Sequence, residues 1–233
     1  FLFRNLMKNK PRDLPVALLF SLLLFCGNTL TADDGFKSLF DGKSLENWRG
    51  YFNEKIGKGW KVVDDAIMFD GSGGGDIATK NEYGNFILQF EWKVEEGANS
   101  GVLYRVSLGD NAPYLSGPEY QILDDAKHRD GKNPKTSAGS LYALYQPAGK
   151  ELMKVGEWNR GKIVLDGPRV EHWVNGKKVV SAEIGGEDWV AKVAKSKFAS
   201  WKKFGKNSAG HIVLQDHGDK VWYRNIEIKV LKK

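Results

Sequence analysis

The stretch that decides the fold reads Phe86-Ile87-Leu88-Gln89-Phe90-Glu91-Trp92-Lys93-Val94. Every second residue, from Phe86 to Val94, is large and apolar, and most residues between them are polar or charged. Successive side chains of an extended strand point to opposite faces, so this alternation predicts a β-strand with one buried face. A surface helix would instead repeat its apolar residues at a period near 3.6.

Strand and turn signals continue along the chain on both sides of this stretch. Residues 60–69 predict a hairpin around Asp64-Asp65, and residues 170–180 predict another that turns at Asn175-Gly176. Further strands are predicted at 211–215 and 221–230, whereas only residues 187–204 have a partly helical pattern. Many short antiparallel strands in one chain predict an all-β fold, a two-sheet antiparallel sandwich or jelly roll.

The first 32 residues are predicted to form a secretory signal peptide. They combine a basic start, an apolar run over residues 14–26 that is too short for a confident membrane span, and Ala32 as a small residue at the cleavage point. The expected mature chain is therefore a single exported domain, residues 33–233, with no stable membrane span. Two alternatives remain open, a retained N-terminal anchor and a lipid attached at Cys26, although Phe25 fits lipid attachment poorly.

Charge and cysteine content exclude several classes of function. After residue 32 the chain has 31 basic and 28 acidic residues, a formal charge of +3 that does not indicate a nucleic-acid partner. The one cysteine, Cys26, lies in the predicted signal, so the mature domain has neither a disulfide nor a cysteine-ligated metal.

A second alternating stretch, residues 117–125, carries the best candidates for a binding site. Glu119, Gln121 and Asp125 share one strand face, on which a carboxylate and an amide lie two residues apart. This arrangement suits a polar ligand such as a sugar, and an ordinary solvated sheet face is the alternative. Gln215 and His217 share a face in the same way, and Arg105 lies on a strand close in sequence to Glu119. We expect Arg105, Glu119, Gln121, Gln215 and His217 to project into one pocket.

Several motifs together resemble the secreted 3-keto-disaccharide hydrolase family, whose domains are also described as 3-keto-glucoside 1,2-lyases or 3-keto-2-hydroxy-glucal hydratases. The resemblance covers residues 36–231 and implies a concanavalin-like jelly roll (the lectin and glucanase fold) with a carbohydrate substrate bound on one sheet. The motifs that carry it occur at residues 36–48, 99–105, 156–159, 172–176, 210–218 and 223–226.

The implied chemistry is cleavage of a 3-keto-glycoside, by hydrolysis or by elimination through the acidic C2 proton. It requires a base near C2, a group that stabilises the enolate oxygen, and a proton donor for the leaving oxygen. Glu119 and His217 are the candidates for proton transfer. Arg105 is the candidate for enolate stabilisation, with a structural ion pair to Glu119 as an equal alternative.

The supporting residues and the cofactor requirement complete the prediction. His128 is expected at the mouth of the site, and Tyr142 is a candidate for stacking on a sugar ring, although a core position is more common for an aromatic residue. No cofactor is expected. A divalent metal held by Glu119, His128 and His217 is the open alternative, without support from a close-spaced ligand motif. A lectin-like binding module without catalysis is the alternative function.

Overall fold

The computed structural model describes residues 35–232, and the predicted signal peptide with Cys26 lies outside these residues. Within them, no helix is long and apolar enough to cross a membrane. The described part contains one α-helix, α1 (Glu187–Ala194), and thirteen strands. The strands are β1 (Lys37–Ser38), β2 (Trp48–Gly50), β3 (Trp60–Val63), β4 (Ala66–Phe69), β5 (Ile77–Thr79), β6 (Phe86–Val94), β7 (Asn99–Val106), β8 (Glu119–Leu123), β9 (Asn159–Asp166), β10 (Arg169–Val174), β11 (Lys177–Glu183), β12 (His211–Leu214) and β13 (Val221–Val230).

The strands form two antiparallel sheets. The larger sheet has the order β11-β10-β9-β6-β13-β4-β3, with β1 paired to β13, and the smaller has the order β2-β5-β12-β7-β8. The sequence prediction of a two-sheet antiparallel jelly roll is therefore confirmed. The alternating apolar residues of β6 are all buried in the core between the sheets, together with Tyr104, Tyr120 and Ile122 of the smaller sheet.

Both predicted hairpins have the backbone geometry that their turn residues favour. Asp64 and Asp65 have φ values of 49° and 57° between β3 and β4, and Asn175 and Gly176 have values of 47° and 85° between β10 and β11. Positive φ at both central residues matches the right-handed twist of the flanking strands, as in a type I′ turn. The partly helical pattern near the C-terminal end corresponds to α1 and a 3₁₀ turn at Lys197–Ser200.

A β-bulge interrupts β7 near its end. Against β12, His211 pairs with Val106 and Val213 pairs with Leu103, so β7 contains one extra residue between the two pairs. Arg105 lies in this segment with φ 51°, which is left-handed backbone. A bulge of this kind changes the side-chain alternation of the strand.

Candidate active site

A polar concavity lies on the face of the smaller sheet that points away from the core. Its volume is about 290 Å³. Strands β7 and β8 form the floor, and the loops before β8, after β8, after α1 and after β12 form the walls. The lining residues are Asn99, Tyr114, Gly117, Glu119, Gln121, Arg129, Asp130, Tyr142, Lys197, Phe198, Phe204, Gln215 and His217. The structure thus brings together Glu119, Gln121, Gln215, His217 and Tyr142 of the predicted site.

Glu119 is the most strongly perturbed acid of the pocket. Its side chain extends over Gly101 of the neighbouring strand β7, where a Cβ atom would overlap the carboxylate oxygen Oε1. Glu119 is only 8% exposed, and among residues 35–232 its carboxylate has no hydrogen-bond partner. Burial raises its pKa from 4.5 to about 8, an effect that the nearby Lys197 opposes and Asp76 and Asp130 reinforce. The group can therefore exchange a proton near neutral pH.

Lys197 supplies the cation that faces Glu119 across the pocket. Its Nζ lies 4.4 Å from the centroid of the Tyr142 ring. Burial lowers the pKa of Lys197, while the charges of Glu119 and Asp130 act in the opposite direction. The Tyr142 hydroxyl donates a hydrogen bond to Asp130 Oδ2 (3.3 Å), and burial raises the pKa of that phenol. One wall of the pocket is thus a cluster of ionisable groups packed around the Tyr142 ring.

Two glutamines present unsatisfied acceptors at the pocket. Gln121 Oε1 and Gln215 Oε1 are buried and have no hydrogen-bond partner among the described residues. Gln121 Nε2 donates to Asn99 Oδ1 (3.3 Å), and Asn99 Nδ2 lies 3.3 Å from His217 Nε2. A buried carbonyl oxygen without a donor is destabilising, so rotation of either amide toward the pocket would let its oxygen accept a ligand hydroxyl group.

The remaining wall is aromatic. The rings of Phe198 and Phe204 stack with centroids 4.0 Å apart, and Tyr114 packs against Trp201 at 5.4 Å. Tyr114 is 42% exposed, so its ring is accessible from solvent. A flat apolar wall opposite a polar floor is the arrangement that binds the two unlike faces of a sugar ring.

Arg105 does not enter the pocket, contrary to the sequence prediction. Its guanidinium donates to Gly84 O, to Asn85 Oδ1 and to Gly167 O at 2.9–3.2 Å, all beside the ends of β6 and β9. Strict alternation along β7 would direct Arg105 toward the pocket face, but the bulge turns it away. Neither of the predicted roles, enolate stabilisation or an ion pair with Glu119, is compatible with this position.

Asp125 is also outside the pocket. β8 ends at Leu123, so the alternation that places Glu119 and Gln121 on one face does not extend to Asp125. Its carboxylate accepts a hydrogen bond from Ala138 N (2.8 Å) and pairs with Lys150 Nζ at 2.5 Å. These contacts give Asp125 a structural role in holding the loop after β8.

His128 lies next to the pocket rather than in its lining. Its ring packs edge-on against His217 with centroids 6.0 Å apart, and its Nδ1 accepts a hydrogen bond from Asp130 N at 3.1 Å. His217 is more open, with 43% of its side chain exposed, and its Nδ1 lies 3.7 Å from Asp219 Oδ2.

Sequence reasoning missed Lys197, Asp130, Asn99 and the aromatic wall. Most of these residues are on long loops or short turns, where no side-chain period relates a residue to the sheet. Asn99 is the exception, because it begins β7 two residues before Gly101 and so shares its face. Strand alternation would have been sufficient to identify Asn99.

Fold and pocket define a concanavalin-like jelly roll with a polar, aromatic-walled pocket on the outer face of its smaller sheet. Residues 35–229 match the family described as the 3-keto-alpha-glucoside-1,2-lyase-like domain, and the chain belongs to this family.

Similar proteins agree with this assignment. A 3-keto-disaccharide hydrolase of Bacteroides thetaiotaomicron is 36% identical over 229 residues, which cover 85% of this chain and 79% of that protein. A crystal structure from Parabacteroides distasonis, assigned provisionally as a glycosyl hydrolase, superposes with a TM-score of 0.81 at 35% identity, covering 88% of this chain and 99% of that one. The carbohydrate binding module CBM66 of Bacillus subtilis, with a TM-score of 0.50, 13% identity and coverage of 78% and 95%, shares the fold alone.

Proposed function

We propose that this protein cleaves 3-keto-glycosides in the pocket of the smaller sheet, with Glu119 as the proton-transfer group. The observation that carries the proposal is Glu119 itself, a buried carboxylate that has no hydrogen-bond partner in the described part of the chain and whose pKa is raised to about 8. A base with a pKa near the working pH is suited to abstract a carbon-bound proton. The family relationship and the name of the Bacteroides thetaiotaomicron relative support the substrate class.

The reaction begins at C2 of the 3-keto sugar. Ionised Glu119 takes the C2 proton, and the C2–H electrons form the enolate with the C3 oxygen. Lys197 is the cation that offsets the developing negative charge, the role predicted from sequence for Arg105. The enolate electrons then expel the C1 oxygen, which takes the proton that Glu119 now carries, and an unsaturated 3-keto sugar remains. Addition of water to this product completes net hydrolysis.

Glu119 is favoured over His217 as the base because of its environment. His217 is 43% exposed, and its Nε2 is in contact with the Asn99 amide. Glu119 lies on the floor of the pocket, where exclusion of water strengthens its interaction with substrate. Gln121 and Gln215 are then available to accept sugar hydroxyls through their unsatisfied oxygens.

The decisive experiment compares a 3-keto-disaccharide with its unoxidised parent. We expect release of product from the keto sugar only, and slower release when C2 carries deuterium. Glu119→Gln should reduce turnover by roughly a hundredfold or more with weaker effects on binding, whereas the exposed Glu183→Gln should match wild type. Full activity of Glu119→Gln together with an inactive His217→Ala would move the base to His217.

A lectin-like binding module is the alternative function. It is favoured by the same unsatisfied glutamine acceptors, which bind hydroxyls without any chemistry. Binding of ordinary glycans with no product from any 3-keto substrate would establish this alternative and refute catalysis.

Export of the mature domain is part of the proposal. It is supported by the basic and apolar pattern of residues 1–32 alone. N-terminal sequencing of secreted protein should give a start near Asp33, and a lipid-modified start at Cys26 would contradict this.

A further inference from the structure

Three potential metal ligands come together beside the pocket from separate loops. His128 follows β8, and His217 and Asp219 lie between β12 and β13. One ligand atom from each of the three residues lies within 4.8 Å of the other two. His217 Nδ1 and Asp219 Oδ2 are the pair at 3.7 Å, and the His128 and His217 rings meet at an interplanar angle of 83°.

These separations are close to those of a coordinated ion. Imidazole nitrogen and carboxylate oxygen bind zinc at about 2.0–2.2 Å, so two ligands of a tetrahedral ion are roughly 3.4 Å apart. The His217–Asp219 pair needs a shift of a few tenths of an ångström, and any other pair, at no more than 4.8 Å, needs at most about 1.4 Å. All three residues are on loops, where His128 and Asp219 are half-buried and His217 is exposed. Rotation of their side chains is therefore sufficient to bring the three ligand atoms to coordination distance.

The hydrogen bonds around the cluster leave ligand atoms available. The Asn99 amide contacts His217 Nε2 at 3.3 Å, which leaves Nδ1 toward Asp219. When Nδ1 binds an ion, Nε2 carries the proton and donates a hydrogen bond to Asn99 Oδ1, as a ligating histidine commonly does to its outer partner. This requires the Asn99 and Gln121 amides to turn together, after which Gln121 Oε1 accepts from Asn99 Nδ2. The backbone N–H of Asn99 donates to Asp219 Oδ2 at 3.1 Å and orients that carboxylate.

His128 is held by one backbone hydrogen bond, from Asp130 N to Nδ1. This bond occupies Nδ1 and leaves Nε2 without a hydrogen-bond partner among residues 35–232, so coordination through Nε2 costs no hydrogen bond and coordination through Nδ1 costs only this one. Two imidazoles and one carboxylate are a donor set for Zn²⁺, Co²⁺ or Mn²⁺, whereas Mg²⁺ and Ca²⁺ prefer oxygen ligands alone.

We propose that His128, His217 and Asp219 bind one divalent transition-metal ion at the edge of the pocket, with coordination positions left open for oxygen atoms of the substrate. His217 belongs both to this cluster and to the lining of the pocket, so an ion there faces the space above Glu119. The metal alternative left open by the sequence used Glu119 as a ligand; this set contains Asp219 in its place, and Glu119 stays free to move a proton. The part that concerns substrate rests on the proposed function, but metal binding does not.

The test is calorimetric titration of chelator-treated protein with Zn²⁺, Mn²⁺ and Mg²⁺. We expect one Zn²⁺ or Mn²⁺ per chain, no saturable Mg²⁺ binding, and affinity at least tenfold weaker in Asp219→Asn and in His128→Gln. The matched control is Glu82→Gln, which removes an exposed carboxylate 3.4 Å from His211, outside the cluster, and should bind as wild type does. Co²⁺ should give the visible absorption bands of a low-symmetry site in wild type and in the control.

The outcomes separate metal binding from catalysis. The metal site is overturned if no metal binds saturably, or if Asp219→Asn and His128→Gln both bind metal with wild-type affinity. Its location is overturned if Glu82→Gln loses as much metal affinity as the cluster variants do. Metal binding together with turnover that is insensitive to the chelator overturns only the role toward substrate. Metal binding without turnover of any 3-keto sugar leaves the site in place and refutes the proposed function.

Discussion

Replacing Glu119 with Gln should stabilise the fold at neutral and alkaline pH while it removes the proposed base. The pKa of Glu119 is 4.5 in the unfolded chain and about 8 in the folded protein, because the carboxyl group is buried. Between these pH values the folded protein holds a proton that the unfolded chain has lost. The contribution of the neutral carboxyl to stability is therefore complete below pH 4.5 and is lost as pH rises through 8.

The size of the effect follows from the two pKa values. Each pH unit between them costs about 1.4 kcal/mol, so wild type should lose roughly 2.5 kcal/mol between pH 5 and 7 and at most about 5 kcal/mol in total. The charge of Lys197 reduces the loss, and those of Asp76 and Asp130 increase it. The variant keeps the shape of the side chain and does not titrate, so the difference between the two proteins isolates Glu119.

The assay is urea unfolding of wild type, Glu119→Gln and Glu183→Gln at pH 5, 6, 7 and 8. Glu183 is exposed at the end of β11, so its variant should follow wild type at every pH. The free energy of unfolding of Glu119→Gln should exceed that of wild type by a margin that grows with pH. Parallel curves for wild type and Glu119→Gln would refute the perturbed carboxyl, and with it the main support for Glu119 as base.

Four further predictions address the rest of the site. If Glu119 is the base, kcat/KM should rise with pH toward about 8, and a fall through that region would make Glu119 the acid instead. Gly101→Ala should lower kcat by about a hundredfold with little change in KM, because the added methyl group displaces the Glu119 carboxylate; wild-type kcat would contradict the close contact. Lys197→Met should reduce kcat by roughly 10²–10³ and Lys197→Arg by less, and equal loss in both would argue against a charge effect. Arg105→Met should lower the free energy of unfolding, measured in urea, by about 2–4 kcal/mol, because three oxygens lose a charged donor. The kcat of the folded enzyme should be unchanged. A loss of kcat without a loss of stability would restore the catalytic role predicted for Arg105.

The sequence alone determined the long strands, the two hairpins and the part of the site that lies on β8. Alternation in β6 and turn residues such as Asn175-Gly176 are local signals, because backbone geometry relates neighbouring residues directly. The same parity placed Glu119 beside Gln121 on β8. Gln215 and His217 also line the pocket, but from the loop after β12, where strand parity no longer applies.

Tertiary structure alone decided which charges surround Glu119. Arg105 failed as a prediction because one extra residue in β7 breaks the parity, and Asp125 failed because β8 ends before it. No sequence pattern predicts Lys197 as a site residue. It lies 78 positions beyond Glu119, in a short 3₁₀ turn that reaches the pocket only through packing. Local periodicity predicts which face of a strand a residue occupies, but the loops that close over that face are placed by long-range contacts that no local pattern encodes.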